Sequence, residues 1–131
     1  MSQQLSREIK EELERSREYK EMYFKHNQDE EYLKKYSKKC LQLINADRRN
    51  WVYGDDYQTA QIFLAKLLKK QKRYAEALEV YQHLWDWGYS GDGKIPPADT
   101  LKQIAICKRK LEKQRLSLAN NSNSTNPFPK G

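Results

Sequence analysis

Glycine and proline are scarce in this chain. It has five glycines and four prolines in 131 residues, and most of them lie beyond residue 90. A stretch with so few breakers before residue 90 has little to interrupt helices. Cysteine is also sparse. Cys40 and Cys107 are far apart in separate helical patterns, which excludes a disulfide framework and a cysteine metal site and predicts two buried or half-buried thiols. The two histidines, His26 and His83, have no partner at ligand spacing, so no metal is expected. No apolar run approaches the length of a membrane span. The start, MSQQLSREIKEELERSREYKE, is charged throughout and lacks the apolar core of a signal peptide, so the expected location is cytoplasmic. Hydrophobic residues make up only 37%. That composition favours amphipathic helices with thin apolar stripes over a thick core.

Charge is what the chain has in abundance, and it is unevenly placed. DEKR residues make up 33% and the net charge is +7. Residues 1–30 hold eight acidic and six basic side chains, net −2, whereas residues 31–131 hold ten acidic and 19 basic, net +9. A basic excess of this kind points to an acidic partner, protein or nucleic acid.

Hydrophobic periodicity predicts five helices. The first spans about Leu5 to Lys25, with Leu5, Ile9, Leu13, Tyr19 and Tyr23 on its stripe. The second is capped by Asp29 and runs to Ala46, with Leu33, Tyr36, Cys40, Leu43 and Ile44 inward. DRRNWVYGDDY, residues 47–57, is expected as a connector whose apolar side chains fold back. The third helix spans Gln58–Lys70 with Ala60, Leu64, Leu67 and Leu68 inward. The fourth ends near Trp87 with Gly88 as its cap, and its stripe is Tyr74, Ala77, Leu78, Tyr81, Leu84 and Trp85. SGDGKIPP is a loop. Its single residue between the glycines, and Ile95 after Lys94, fail the phosphate-loop pattern. The fifth helix spans 99–116, with Leu101, Ile104, Ala105, Lys108 and Leu111 on one side. The polar, Asn/Ser-rich segment 118–131 is expected to be disordered. The expected architecture is a single all-α domain over 1–117, an antiparallel stack of helical hairpins.

The stretch LAKLLKKQKRYAEALEVYQHLW carries a more specific pattern. A large apolar residue precedes a small one at Leu64-Ala65, and Leu68 follows three positions on. Tyr74, Ala77 and Tyr81 then open the next helix, with small Ala77 at the centre of the stripe. Over residues 58–89 this resembles a tetratricopeptide repeat (TPR), whose two antiparallel helices touch at the small residues. Gln61 replaces the early Trp of that family, Leu84 replaces a small residue, and the terminal Pro is displaced to Pro96-Pro97. Ile104-Ala105 sits where a following repeat would place Leu64-Ala65. At the repeat's spacing of about 34 residues, Ala65 and Ala77 fall on Glu31 and Leu43, so the first two helices are at best a degenerate repeat. A single repeat cannot bury its own faces, so the five helices stack together or a second chain covers them.

The resemblance implies a groove lined by the first helix of each repeat. By register that face holds Ile62, Lys66, Lys69 and Lys70 from helix three, and Lys102, Ile106, Arg109 and Lys110 from helix five. The natural ligand of such a face is an acidic or carboxylate-ending segment of a protein partner. No catalytic order, metal cluster or cofactor loop is present in the sequence, so the expected role is a non-catalytic adaptor. The alternative is nucleic-acid binding through KKYSKK, KKQKR and KRKLEKQR. A homo-oligomer is compatible with both readings. Asn126-Pro127-Phe128 matches a tripeptide bound by EH domains, a weak signal in a polar tail.

Overall fold

The computed structural model describes residues 2–90 and 93–124, with side chains for 6–90 and 93–119. Five α-helices follow in chain order: α1 Ser2–Lys25, α2 Glu30–Ala46, α3 Tyr53–Lys70, α4 Tyr74–Tyr89 and α5 Asp99–Ser124, with a 3-10 turn at Arg48–Val52 before α3. No strand occurs among the described residues. The helices form an antiparallel hairpin stack, in which α3 packs on both α2 and α4, and α4 packs on α5.

Local chemistry sets the helix ends. The Asp29 carboxylate accepts from the Tyr32 backbone N–H at 3.1 Å and caps α2, satisfying one of the donors that a helix start leaves free. Asp47 ends α2 and then caps the 3-10 turn by accepting from Arg49 N–H at 2.9 Å. The connector expected at residues 47–57 is therefore shorter. Asp55 and Asp56 already lie in the first turn of α3, where carboxylates favour the helix dipole. The α3–α4 turn is closed by Arg73 N–H donating to Leu68 C=O and Lys72 N–H to Lys69 C=O, both at 2.9 Å. This places Lys72 at φ 63, the left-handed position a glycine usually takes in this motif.

The core follows the predicted stripes on α2, α3 and α4. Leu33, Tyr36 and Cys40 of α2, Ala60, Leu64, Ala65, Leu67 and Leu68 of α3, and Ala77, Tyr81 and Leu84 of α4 are all buried. Each fully buried Leu contributes about 2 kcal/mol of transfer free energy. Ala65 and Ala77 are completely inaccessible, as residues on the packed faces of two closely approaching helices must be. Both cysteines are buried. Desolvation pushes the Cys40 thiol up to about 12 and raises Cys107 as well, so both stay protonated thiols rather than nucleophiles.

Three expectations change. The buried side of α5 is Thr100, Ile104 and Cys107, with Gln103 and Leu111 half-covered, whereas Leu101, Ala105 and Lys108 are exposed. The helix is rotated by roughly one residue, about 100°, from the predicted face, and Ala105 has no counterpart role to Ala65. The helix also runs past Leu116 to Ser124, because KLEKQRLSLA contains good helix formers and no breaker. Residues 112–119 are all exposed, Leu116 and Leu118 among them. The segment expected to be disordered is thus helical over 118–124, and residues 125–131, including Asn126-Pro127-Phe128, lie outside the described residues. In α1, finally, Met22 is buried and Tyr19 packs against the core, but Ile9 and Leu13 remain 52% and 64% exposed. Leu5 lies outside the residues with described side chains.

Ion pairs hold α1 and α2 to the body. Arg15 donates to the buried Asp56 at 2.9 Å and Lys39 to Glu18 at 2.8 Å. Arg73, at the start of α4, clasps Glu30 at the start of α2 at 2.6 Å. Hydrogen bonds from Arg73 first, and Lys34 second, pull the Glu30 carboxyl from its ordinary 4.5 down to about 2.

Two outcomes are expected. Ala77→Leu overpacks the α3–α4 crossing and costs about 1–3 kcal/mol in urea unfolding, whereas Glu76→Leu, on the exposed side, changes stability little. Because the Glu30 pKa is lower in the folded chain than in the unfolded one, its contribution is complete above about 4.5 and disappears as pH falls toward about 2. Glu30→Gln should therefore be less stable than the parent at neutral pH, and the gap in urea midpoint should close on acidification toward pH 2. A gap that stays constant with pH would remove the carboxylate–guanidinium pair as its cause.

Candidate functional site

The lysines of α3 and α5 meet around one open cavity. Lys66, Lys69, Lys70 and Lys110 line a space of about 520 Å³ together with Tyr74 and Gln103. Lys69 Nζ donates to Gln103 Oε1 at 2.7 Å, which ties the two helices side by side. No carboxylate among the described residues lines the cavity. Among the described residues, Lys66, Lys69, Lys70 and Lys110 make no ion pair.

Eight other basic side chains are held in ion pairs, whereas among the described residues several more, Arg48, Lys102 and Arg109 among them, are as unpaired as these four. Arg15 pairs with Asp56, Arg17 with Glu21, Lys34 with Glu30, Lys39 with Glu18, Arg49 with Asp47, Arg73 with Glu30, Lys94 with Asp55 and Arg115 with Glu112. Four cations gathered without a counter-charge raise the local potential, and among the described residues only Lys69, bonded to Gln103, has a protein partner that an arriving carboxylate would have to displace.

The sequence-predicted face divides. Lys66, Lys69, Lys70 and Lys110 come together. Ile62 is half-buried against the core and does not line the cavity. Lys102 and Arg109 are exposed, but they lie on the side of α5 opposite Ile104 and Cys107 and so point away from α3. The rotation of α5 is the reason. Gln103 lies seven residues before Lys110, on the same flank. Tyr74 and Gln103 are the lining residues that sequence reasoning missed. The 103/110 spacing was a signal for Gln103 once the buried side of α5 is placed at Ile104 and Cys107.

A second groove lies among α2, the 3-10 turn and α4. Leu41, Ile44, Asn45, Arg48, Trp51, Trp87 and Ser90 surround about 740 Å³, a size typical of ligand and side-chain pockets. Trp51 and Trp87 face each other at 6.2 Å between ring centres, and Tyr57 meets Trp87 edge-on at 4.9 Å. Tyr57 Oη and His83 Nε2 lie 2.6 Å apart, and His26 stacks on Tyr32, so both histidines serve local packing. Trp85 and Tyr89 meet in a tilted ring contact at 4.6 Å and are not among the residues lining this groove. Among the described residues no group of His, Cys, Asp and Glu could hold a metal ion. No helix among the described residues is long and apolar enough to cross a membrane.

The segment after α4 supports the groove. Gln58 donates to Ile95 C=O at 3.2 Å, and Lys94 Nζ sits 5.1 Å from the centre of the Trp51 ring. Gly88 is not the expected cap, since α4 continues to Tyr89. A Cβ there would fall 2.3 Å from Pro96 Cδ and 2.5 Å from Lys94 C=O, so glycine is what allows residues 94–96 to cross the helix end. Gly93 is constrained likewise, its Cβ falling 2.3 Å from Trp87. Gly88→Ala should therefore cost about 1–3 kcal/mol and change the fluorescence of Trp51 and Trp87 by lifting the segment off. An unchanged spectrum and melting curve would show that the crossing is not tight.

Comparisons with protein families, with curated proteins and with solved structures find no match.

Proposed function

We propose that the chain is a non-catalytic protein-interaction module, built on a TPR-like hairpin, that captures an acidic segment of a partner in the cavity between α3 and α5. The observation that carries this reading is the set of four lysines, Lys66, Lys69, Lys70 and Lys110, around one cavity with no carboxylate in its wall among the described residues. The Tyr74 ring gives the same cavity an apolar contact. An extended peptide with alternating carboxylates and apolar side chains suits such a wall. The resemblance at 58–89 supports the same reading, because grooves of this family lie along the first helices.

The alternative is nucleic-acid binding by the basic half of the chain. Lys34 and Lys39 of the KKYSKK segment are neutralised by Glu30 and Glu18, which interrupts the track a polyanion would follow. The peptide reading is therefore preferred, and the basic excess remains the argument for the other.

The test is a combined substitution of Lys66, Lys69 and Lys70 to Glu, read by anisotropy of a labelled acidic peptide. Each exposed charge contributes little by itself, about 0.2–1 kcal/mol, and the attraction fades with salt. The triple variant should keep the parent's helical circular dichroism, because none of the three belongs to the Leu64, Leu67 and Leu68 stripe. Its affinity should fall at least about tenfold, or about 1.4 kcal/mol. Unchanged affinity would reduce the lysines to a solubilising surface. Oligonucleotide binding with a steep salt slope, and no peptide binding, would establish the alternative instead.

A further inference from the structure

Among the described residues, the first half of α1 makes no side-chain hydrogen bond or ion pair with another element, and Glu12 bonds only to Arg15 of the same helix. Every residue from Ser6 to Glu14 is exposed, and Ile9 and Leu13, one turn apart on one face, stand 52% and 64% exposed. The helix joins the body only from Arg15 onward. Arg15 donates to Asp56 at 2.9 Å and to Val52 C=O at 3.4 Å. An isolated helix of so few residues is marginal in water, so this arm gains stability from whatever covers its apolar face.

The aromatic groove offers a complementary surface. Leu41, Ile44, Trp51 and Trp87 supply apolar walls, and Arg48 stands at its side exposed and without an ion pair among the described residues. On the arm, Glu8 and Glu12 flank Ile9 and Leu13 on the same side. The arm leaves the body at Val52, the residue next to Trp51. Being continuous with the straight α1, it cannot fold back into its own groove. We infer that the groove receives the α1 arm of a second copy of this chain, and that two copies exchange arms reciprocally. Ile9 and Leu13 then pack on the wall formed by Leu41, Ile44 and the two indoles, and Glu8 reaches Arg48 of the partner copy. Reciprocal exchange uses each arm and each groove once and closes as a two-fold dimer. It does not involve the lysine cavity, so it stands independently of the peptide reading.

Sedimentation equilibrium of the full chain across micromolar concentrations tests the inference. The parent should approach twice the chain mass. Leu13→Asp, a residue that touches no core side chain, should weaken the dimer at least about tenfold. Arg48→Glu should weaken it as well, and combining Arg48→Glu with Glu8→Lys should restore it. Trp fluorescence should shift to shorter wavelength as the parent associates. The Lys66/Lys69/Lys70 triple variant should associate like the parent. A parent that stays monomeric throughout, or a Leu13→Asp variant that associates like the parent, would overturn the proposal. Indifference to Arg48→Glu would also do so, since the arms would then pair with each other. So would loss of association in the triple lysine variant, which would place the arm in the other cavity. Growth beyond the dimer would overturn reciprocal closure.

Discussion

The close approach of α3 to its neighbours is the constraint on which the rest of the molecule depends. A chain with 37% hydrophobic residues cannot surround a thick core, so its buried area must come from helices that lie very near one another. Ala60, Ala65 and Ala77 are fully inaccessible and provide that nearness. Short side chains let backbones approach, and flanking leucines then fill the sides of the contact. α3 is covered by α2 on one side and by α4 on another, and α5 is carried in turn by α4. Widening the α3–α4 crossing would also move α5, and with it Gln103 and Lys110 away from Lys66 and Lys69.

Electrostatics are arranged around the same frame. Where helices from distant parts of the chain must be held together, basic side chains are matched by carboxylates. Arg15 meets Asp56, Lys39 meets Glu18, and Arg73 meets Glu30. Asp56 is buried, and desolvation raises its pKa even with the guanidinium beside it, so the pair serves to position α1 more than to add stability. Four lysines without an ion pair among the described residues gather between α3 and α5. Of these, Lys69 is bonded to Gln103.

The two ends of the stack differ in chemistry as a consequence. One side presents lysines around a polar cavity. The other presents two indoles, Leu41, Ile44 and a single guanidinium, under a segment that only Gly88 and Gly93 allow to pass so close. An acidic ligand is suited to the first, and an amphipathic helix with a carboxylate at its edge to the second. The chain itself contains such a helix in α1.

Local spacing by itself determined the five helices, the Asp29 cap, the buried stripes of α2, α3 and α4, and the central small residues Ala65 and Ala77, because hydrophobic period and capping are properties of neighbouring residues. The register of the TPR-like pattern, rather than spacing alone, pointed to Lys66, Lys69, Lys70 and Lys110, together with Ile62, Lys102 and Arg109. The start of α3 was hidden because Trp51, Val52 and Tyr53 interrupt the period while Asp55 and Asp56 still favour a helix start. Only the tertiary structure decided which side of α5 is buried. The stripes 101/104/105/108 and 100/104/107/111 are both periodic, and what separates them is the surface of α4, which accepts Cys107 and Thr100. That choice turned Lys102 and Arg109 to solvent and brought Gln103 into the cavity. Likewise, Ile9 and Leu13 look identical in sequence to a core stripe. Their exposure follows from where α1 is held: Arg15 bonds to Asp56 and Val52, and every residue from Ser6 to Glu14 before it is exposed.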